Sequence, residues 1–268
     1  MSLKYLSKLQ NQRILVLGGT SGIGFCVAEN AVEHGAVVIV ASSQQASIDK
    51  TLSRLTASYP ERTSNISGRV IDLRSDDSER AIVELLKFAT NNGENLLDHI
   101  VSTAGDSVAI QPLDNFTGAE QLADAQRVRI LTPMFLAKQA PDVYLRRSNH
   151  SSMTFTGGVN TYRPAKGWEI PAMAGGSLQG LVRALAVDLK PIRVNLIEPG
   201  AIETELFRRT AQGDALEVYR EKFRAMSLTG EMGTPEDMSE AYIYAMKDAF
   251  LTGQCILSEG GLLLASRT

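Results

Sequence analysis

The sequence predicts an α/β fold: a single doubly wound domain in which a seven-stranded parallel sheet carries helices on both faces. Short, near-continuous apolar runs alternate with segments of helical periodicity along all 268 residues, as expected for parallel strands buried on both faces. A glycine-rich loop follows the first apolar run. No Gly/Ser linker or tandem repeat divides the chain, and its length suits one large core. We therefore expect one domain over residues 1–268.

Seven short apolar runs are predicted as strands, and apolar residues at helical spacing predict the helices between them. Pro133 lies inside the fourth helical segment, which is nevertheless expected to be largely helical. In a doubly wound sheet, ligands bind at the carboxyl ends of the strands. In chain order the predicted strands are 14–17, 37–41, 68–73, 97–103, 152–156, 193–197 and 255–258, and the predicted helices are 22–34, 48–59, 76–90, 119–145, 173–189, 203–226 and 235–250.

The composition excludes several functional classes. Hydrophobic residues make up 44% and charged residues 21% of the chain, as in ordinary soluble globular proteins. The net charge of −3 gives no global field that would attract nucleic acid. Residues 1–13 are too polar for a signal peptide, and no apolar run approaches the ~18 residues of a membrane span. We therefore expect a cytoplasmic protein whose partners include neither nucleic acid nor a membrane.

The cysteines and histidines give no sign of a metal site. Cys26 lies in a helical pattern and Cys255 in a strand pattern, far apart in the chain. Both are expected to be small buried hydrophobes rather than disulfide partners or metal ligands. His34, His99 and His150 show no ligand spacing with the cysteines, so no metal is predicted.

Three glycines between the first strand and the first helix form a candidate phosphate site. In the stretch LVLGGTSGIG, Gly18 allows a tight turn, Gly22 lets the backbone approach a pyrophosphate, and Gly24 lets helix and strand pack closely. The following helix supplies free N–H groups and the positive end of its dipole. A glycine-rich loop alone can be a structural turn, but this placement predicts a dinucleotide site and a Rossmann domain.

These motifs resemble those of the short-chain dehydrogenase/reductase family along nearly the whole chain. The glycine loop is similar to the family's T-G-x-x-x-G-I-G, the turn 102–105 to its N-x-A-G, and the segment 199–204 to its P-G-x-x-x-T. The stretch GQCILSEGG resembles its carboxy-terminal motif, with Glu259 in place of Asp. The resemblance implies cofactor contacts at Gly18, Thr20, Ser21, Gly22, Ile23, Gly24, Asp72, Leu73, Thr103, Ala104, Gly105, Pro199, Gly200, Ile202 and Thr204.

The end of the second strand indicates which nicotinamide cofactor is bound. Members that use NAD carry an acid there, which accepts hydrogen bonds from the ribose hydroxyls. Here the chain reads Ser42, Ser43, Gln44, so no carboxylate repels a 2′-phosphate. Arg54 and Arg62 cannot be placed relative to this turn from the sequence. An exposed serine-rich turn is compatible with both cofactors, and we favour NADP(H).

The catalytic residues of the resembled family are missing. In that family a Ser, a Tyr and a Lys act as a unit, and an Asn on the fourth helix supports a water chain. The Tyr and Lys positions fall at Pro171 and Gly175, or at Ile170 and Ala174 after a slip of one residue. The Ser position falls near residues 157–158, and the Asn position falls at Arg129. The usual mechanism of ketone reduction therefore does not carry over.

Three interpretations remain open. The chain is a cofactor-binding regulator without turnover, or it is a ketone reductase with a relocated acid, for which Tyr162, Lys166 and Glu169 are candidates. In the third interpretation the substrate needs no acid. A carbonyl needs its developing oxyanion neutralised, whereas an iminium nitrogen becomes neutral as hydride arrives. Only the third interpretation makes the loss of Tyr and Lys useful, because a Lys would repel a cation.

Four side chains are candidate catalytic residues. Trp168 is the only tryptophan, and it is either core filling or a flat wall with π attraction for a cation. Glu169 is either a solvated loop acid or the counterion of that cation. Arg129 binds either a carboxylate or phosphate group or a substrate amide carbonyl. Thr156 is, with Thr154, the hydroxyl nearest to the missing Ser.

The chain is further similar to a fungal subset of the family, the bifunctional reductase/Diels–Alderases of bridged bicyclic diazaoctane indole alkaloid biosynthesis. The similarity rests on Arg129, the Arg163–Pro164 pair with Trp168, and the stretch ALAVDLKPIRVNLIEPGAIETEL. It implies a small-molecule substrate, a polycyclic indole, and a substrate lid within 203–226. An Asp near the Trp is absent, and Glu169 is the only nearby carboxylate. The family resemblance also implies a homo-oligomer, a dimer or tetramer, formed through the helices at 119–145 and 173–189.

Overall fold

The structure, a computed structural model, describes residues 3–105, 110–208 and 213–266. Seven strands form one sheet in the order β3-β2-β1-β4-β5-β6-β7, and all neighbouring pairs are parallel. The predicted fold class is therefore confirmed. The strands are β1 Arg13–Leu17, β2 Val37–Ser42, β3 Ile66–Val70, β4 His99–Ser102, β5 Ser152–Thr156, β6 Arg193–Pro199 and β7 Cys255–Ser258.

Helices cover both faces of the sheet because successive residues of each buried strand point to opposite sides. Leu15 and Leu17 of β1 join the core beneath α3, α5 and α6, whereas Ile14 and Val16 join the core beneath α1, α2 and α9. The helices are α1 Gly22–Glu33, α2 Gln45–Ser58, α3 Ser78–Thr90, α4 Ala119–Gln126, α5 Thr132–Gln139, α6 Glu169–Asp188, α7 Glu205–Arg208, α8 Asp214–Met226 and α9 Pro235–Lys247.

Helix α6 begins four residues earlier than the sequence predicts. Pro171 is the third residue of this helix, within the first turn, where its missing N–H would have no partner inside the helix. The helix is also long and apolar enough to cross a membrane by length and composition, contrary to the sequence expectation. It packs instead on β6 and buries Ile170, Ala174, Leu178, Val182 and Leu185.

Several other predicted elements have different boundaries. Helix α2 begins at Gln45 rather than 48, β4 spans His99–Ser102 rather than 97–103, α9 ends at Lys247 rather than 250, and the predicted helix 203–226 is divided into α7 and α8. Strand β3 was expected at 68–73 but pairs with β2 from Ile66 to Val70, and the chain then turns at Asp72, whose Oδ1 accepts a hydrogen bond from the Arg74 N–H. The segment 119–145 is helical only to Gln139. Pro133 lies in the first turn of α5, and a π-helical turn over Arg127–Leu131 joins α4 to α5.

Buried polar side chains close the amino edge of the sheet. The Arg193 guanidinium donates to the carbonyls of Asn149, Ala245, Met246 and Leu251, at 2.6–3.1 Å. Two of these carbonyls belong to the last turn of α9, where a cation also meets the negative end of the helix dipole. The charge of Arg193 thus ties β6 to α9.

His99 occupies the same edge and is fully buried. Its Nε2 lies 2.6 Å from Gln12 Oε1, and its Nδ1 lies 2.8 Å from Ser152 Oγ. Burial lowers the pKa of this imidazole to about 3. Cys26 and Cys255 are free thiols, buried and half-buried respectively. Over the described ranges, no cluster of three or more His, Cys, Asp or Glu side chains has the geometry of a metal site.

Candidate active site

The glycine loop brings together the carboxyl ends of β1, β2 and β4. Gly18 has a φ of +78°, and a Cβ there would lie 2.8 Å from both Ala104 N and Thr103 Oγ1. A Cβ on Gly24 would overlap Gly18 O and Thr103 Oγ1. The Gly18 N–H donates to Ala41 O at 2.8 Å. Only glycine fits at both positions, and the backbone is left open for a phosphate group at the amino end of α1.

The end of β2 lies beside this loop. Thr20 Oγ1 and Ser42 Oγ are 3.0 Å apart, and exposed Ser43 and Gln44 lead into the amino end of α2. These hydroxyl and amide groups, together with the free N–H groups of a helix terminus, can donate hydrogen bonds to the oxygens of a 2′-phosphate.

The two arginines that the sequence could not place do not reach that turn. The Arg54 guanidinium lies 3.8 Å from the centre of the Phe25 ring and 4.0 Å from Glu29. Arg62 lies near Gly35, at the amino end of β2. The fit to a 2′-phosphate therefore depends on Ser42, Ser43 and Gln44.

The segment after β6 completes the candidate cofactor site. Gly200 packs on the Glu259 backbone, where a Cβ would lie 2.6 Å from Glu259 Cα. A Cβ on Gly22 would lie 3.2 Å from Thr204 Cγ2, so the glycine loop and the 199–204 segment meet. Ile202 between them is 9% exposed.

The predicted adenine contact lies at the end of β3. Asp72 is exposed and Leu73 is buried. A cavity of about 350 Å³ opens beside them, lined by Asp72, Ser75, Asp77, Arg80, Ala81 and Glu84.

Arg129 lies at the end of β4, on the π-helical turn. A Cβ on Gly105 would lie 2.9 Å from its Cζ and Nη2 and 3.0 Å from its Nη1. The guanidinium therefore rests on the Thr103–Gly105 turn that the glycine loop also touches. The extra residue of a π turn changes the direction of a helix locally, and such turns are frequent at functional sites.

The position expected for the family's lysine is closed. A Cβ on Gly175 would overlap Thr161 Oγ1 and would lie 3.2 Å from Thr161 Cβ. This Oγ1 is buried and has no hydrogen-bond partner among the described residues. Pro171, at the expected tyrosine position, lies one helical turn before Gly175. The structure thus contains neither side chain and leaves no room for one at 175.

The hydroxyl of Thr156 is engaged by the protein. It donates to Ser102 O at 2.8 Å and lies 2.7 Å from the hydroxyl of Tyr242 in α9. Thr154 is fully buried. Because the Thr156 hydroxyl already makes hydrogen bonds with Ser102 and Tyr242, a substrate would have to replace one of them. Its contact with a substrate stays a prediction.

Glu198 in β6 is a site residue that the sequence analysis missed. It is fully buried, and its two oxygens accept hydrogen bonds from the Tyr162 hydroxyl at 2.7 Å and from Gln179 Nε2 at 2.8 Å. Burial of the hydroxyl raises the pKa of Tyr162, and the hydrogen bond to Glu198 raises it further. The available signal was a single acid in a strand predicted to be buried, since Glu is rarely buried without partners.

Trp168 and Glu169 lie together where α6 begins, with Trp168 as its N-cap and Glu169 as its first residue. Gly167 before them has a φ of +85°, and its carbonyl accepts a hydrogen bond from the Gln111 N–H at 3.1 Å. The exposed Glu169 borders a narrow crevice with Leu113, Phe116 and Ile170. The structure therefore places both candidates beside the segment 111–116, and their contact with a substrate stays a prediction.

The loop that leads to Trp168 is anchored to the carboxy-terminal segment. Arg163 Nη1 donates to Leu262 O. Gly260 in the same segment accepts a hydrogen bond from the Leu228 N–H at 2.7 Å. The carboxy-terminal segment therefore touches both the loop before α6 and the end of α8.

The predicted lid consists of α7 and α8, and residues 209–212 between them lie outside the described ranges. Arg220 of α8 is held by Glu203, with 2.6 Å between Nη2 and Oε1. The rings of Phe207 and Phe223 meet edge to face with centres 5.8 Å apart. None of the residues of α8 is buried, so its contact with a ligand stays a prediction.

Comparisons with known proteins agree with this geometry. The family model of the SDR-like Rossmann domain matches residues 5–265. The short-chain dehydrogenase/reductase ucsE of an Acremonium species is 40% identical over 99% of this chain and 100% of its own. The short-chain dehydrogenase/reductase malC of Malbranchea aurantiaca is 38% identical over 96% of both chains. The solved structure of the MalC reductase/Diels–Alderase superposes with a TM-score of 0.90, at 37% identity over 97% of this chain and 99% of that one.

Proposed function

This chain belongs to the short-chain dehydrogenase/reductase family and is an oxidoreductase, and we propose that it is an NADP(H)-dependent reductase whose substrate is a cation. The substrate is an iminium- or azadiene-type intermediate of fungal secondary metabolism. The observation that carries the proposal is the closed lysine position, where Thr161 Oγ1 fills the space beside Gly175. A site that excludes the usual proton-donating pair suits a substrate that needs no proton.

The residues of the cofactor site fit NADP(H). Gly18 and Gly24 keep the loop close to the backbone for a pyrophosphate, Ser42 and its neighbours suit a 2′-phosphate, and the 199–204 segment lies where the nicotinamide half is expected. When bound, NADPH supplies a hydride. The chain's own role is to hold that group beside the site and to exclude water.

The side chains around the site support a cationic acceptor. Reduction of a ketone needs an acid within hydrogen-bond reach of the oxygen. The Tyr162 hydroxyl is committed to Glu198, its pKa is raised, and Thr156 is committed to Ser102 and Tyr242. An iminium needs no donor, because its nitrogen loses its charge when hydride adds to the neighbouring carbon.

We further propose that the pocket templates an intramolecular Diels–Alder cyclisation to a bridged indole alkaloid. Such a step needs a cavity that holds diene and dienophile as a near-attack conformer. Trp168 supplies a flat wall, Arg129 a donor for an amide carbonyl, and Glu169 a carboxylate at the rim. Helices α7 and α8, the proposed lid, carry unburied apolar side chains that would cover such a ligand. The solved relative described as a reductase/Diels–Alderase supports this step.

The test uses purified protein, NADPH and two probes: an activated ketone, and a stable cyclic iminium that carries an indole and an alkene. NADPH consumption and product structure are followed together. Reduction of the iminium with the ketone untouched is the expected result, and a single stereoisomer of the cycloadduct adds the Diels–Alderase step. Reduction of the ketone would show a hidden acid and refute the proposal.

Self-association through α5 and α6 is part of the same proposal. Leu131 of the π turn, Met134 of α5 and Met173 of α6 are large apolar side chains that are each about 40% exposed, and an interface between subunits would cover them. A dimer or tetramer that covers them is expected in light scattering. A monomer at micromolar concentration would contradict this prediction.

A further inference from the structure

We propose that Glu198 is the fixed countercharge of the substrate pocket and makes it selective for a cationic ligand over a neutral ligand of the same shape. The inference rests on the proposed function, which it extends to a specificity-determining residue. Glu198 is the last residue before the Pro199–Gly200 turn, at the carboxyl end of β6. It is fully buried.

The carboxylate is held in place by donors from two separate elements. Tyr162 approaches from the loop before α6 and Gln179 from α6 itself, at 2.7 and 2.8 Å. Both partners are neutral, so they orient the charge without cancelling it. Arg183 contacts Cys255, with 3.9 Å between Nη2 and Sγ, and makes no ion pair with Glu198 in the described part of the chain.

The carboxylate also lies beneath the floor of the site. A Cβ on Gly157 would lie 3.2 Å from Glu198 Cγ and 3.4 Å from its Oε1. Gly157 follows β5 directly, at the position where the family's serine is expected. The absence of a side chain at Gly157 therefore brings the carboxylate close to the backbone at the end of β5.

The hydrogen bond from Gln179 places the Glu198 carboxylate beside α6, one helical turn from the closed lysine position at Gly175. Gln179 follows Gly175 by four residues, so the two share a face of α6. The site thus has no side chain at 175 and a buried anion one turn further along. The positive charge of the family's lysine is therefore absent here and a negative charge is present, whereas the positive charge of Arg129 lies on the turn after β4. The surroundings of Glu198 thus favour a cationic group of the ligand.

The size of the effect follows from Coulomb's law. A ligand cation about 7 Å from a unit charge, at an effective dielectric constant of about 20, gains roughly 50-fold in affinity. Screening by solvent in an open site lowers this to on the order of tenfold. Glu198→Gln keeps the side-chain shape and one acceptor for Tyr162, and is expected to remove that factor.

The experiment measures binding rather than turnover. The cationic probe is an N,N-dimethyl-tetrahydro-β-carbolinium, which has no acceptor for hydride, and the neutral probe is the carbon isostere, a dimethyl-tetrahydrocarbazole. Calorimetric titration should give roughly tenfold tighter binding of the cation by wild type and near-equal binding by Glu198→Gln. Glu61→Gln, a distant exposed acid, changes the net charge equally and should keep the preference.

A charge-swap variant guards against misfolding of the single variant. Glu198→Gln/Gln179→Glu moves the carboxylate to the other end of the same hydrogen bond, and it should retain most of the preference. Equal affinity of wild type for the two probes, or no binding of the cation, overturns the inference. Loss of the preference in Glu169→Gln rather than in Glu198→Gln also overturns it, by assigning the countercharge to the helix terminus.

The outcome is separable from that of the proposed function. Reduction of the iminium probe by a wild-type protein that shows no cationic preference would refute only the role of Glu198. A cationic preference in a protein that reduces neither probe would refute only the proposed reaction.

Discussion

Substitution of Gly175 by Ala tests whether the lysine position is closed. The new methyl group would overlap Thr161 Oγ1, and Thr161 is β-branched and stiff. Overpacking of this kind costs about 1–3 kcal/mol, whereas Gly to Ala in a helix otherwise gains about 0.5–1 kcal/mol. The expected net loss is about 1–2 kcal/mol of unfolding free energy, or a fall in apparent Tm of about 2–6 °C for a chain of this size.

The same helix offers matched controls. A Cβ on Gly176 or on Gly180 would meet nothing within 4 Å. Each Ala variant there should gain only the stability that Ala has over Gly inside a helix, and the apparent Tm should rise by about 1–3 °C. The assay is thermal unfolding followed by circular dichroism, with the three single variants measured side by side.

A double-mutant cycle identifies the atom responsible. Thr161→Ala removes a hydroxyl for which residues 3–105, 110–208 and 213–266 offer no hydrogen-bond partner, so its own cost should be small. In that background Gly175→Ala should cost about 1–3 kcal/mol less than in wild type. If Gly175→Ala stabilises wild type as much as Gly176→Ala does, the position is open, and the missing lysine has no steric cause.

Three further predictions concern stability and the alternative acid. Arg193→Lys should lower the unfolding free energy by at least about 3 kcal/mol in denaturant titrations, because one ammonium cannot serve the four carbonyls that the guanidinium binds; a loss below 1 kcal/mol would contradict this. His99 is neutral when folded, with a pKa lowered to about 3, so the unfolded chain binds its proton first as the pH falls. Unfolding free energy should therefore drop by about 2 kcal/mol between pH 7.5 and pH 5 on this account, and His99→Gln should lack that part of the drop. Tyr162→Phe should leave reduction of the iminium probe within about threefold of wild type, and a hundredfold loss would revive the relocated acid.

The fold was predictable because it depends on patterns that are local in the chain. Buried parallel strands appear as apolar runs, and β5 and β7 were predicted residue for residue. The contact between the glycine loop and the turn after β4 was predictable for a related reason. Gly18 follows β1 and Thr103 follows β4, and these strands are neighbours in the sheet, so topology alone brings the two residues together.

The rest of the site depends on contacts that no local pattern encodes. Thr161 closes Gly175 only because the loop after β5 folds back on α6, and the sequence gives no sign of that loop's path. Glu198 finds its partners 19 and 36 residues earlier in the chain, on α6 and on the loop before it. Helix α6 begins before Pro171 because proline is tolerated in the first turn of a helix. The sequence prediction started the helix after Pro171 because proline usually interrupts helices.

The link between Arg163 and Leu262 has a practical consequence for purification. The carboxy-terminal segment holds both the loop before Trp168 and the end of α8. A tag fused to the carboxyl terminus would therefore be expected to disturb these two elements beside the proposed pocket. The amino-terminal residues pack at the opposite edge of the sheet, where Gln12 meets His99. An affinity tag belongs at that end, and the probe titrations should be made with the carboxyl terminus unextended.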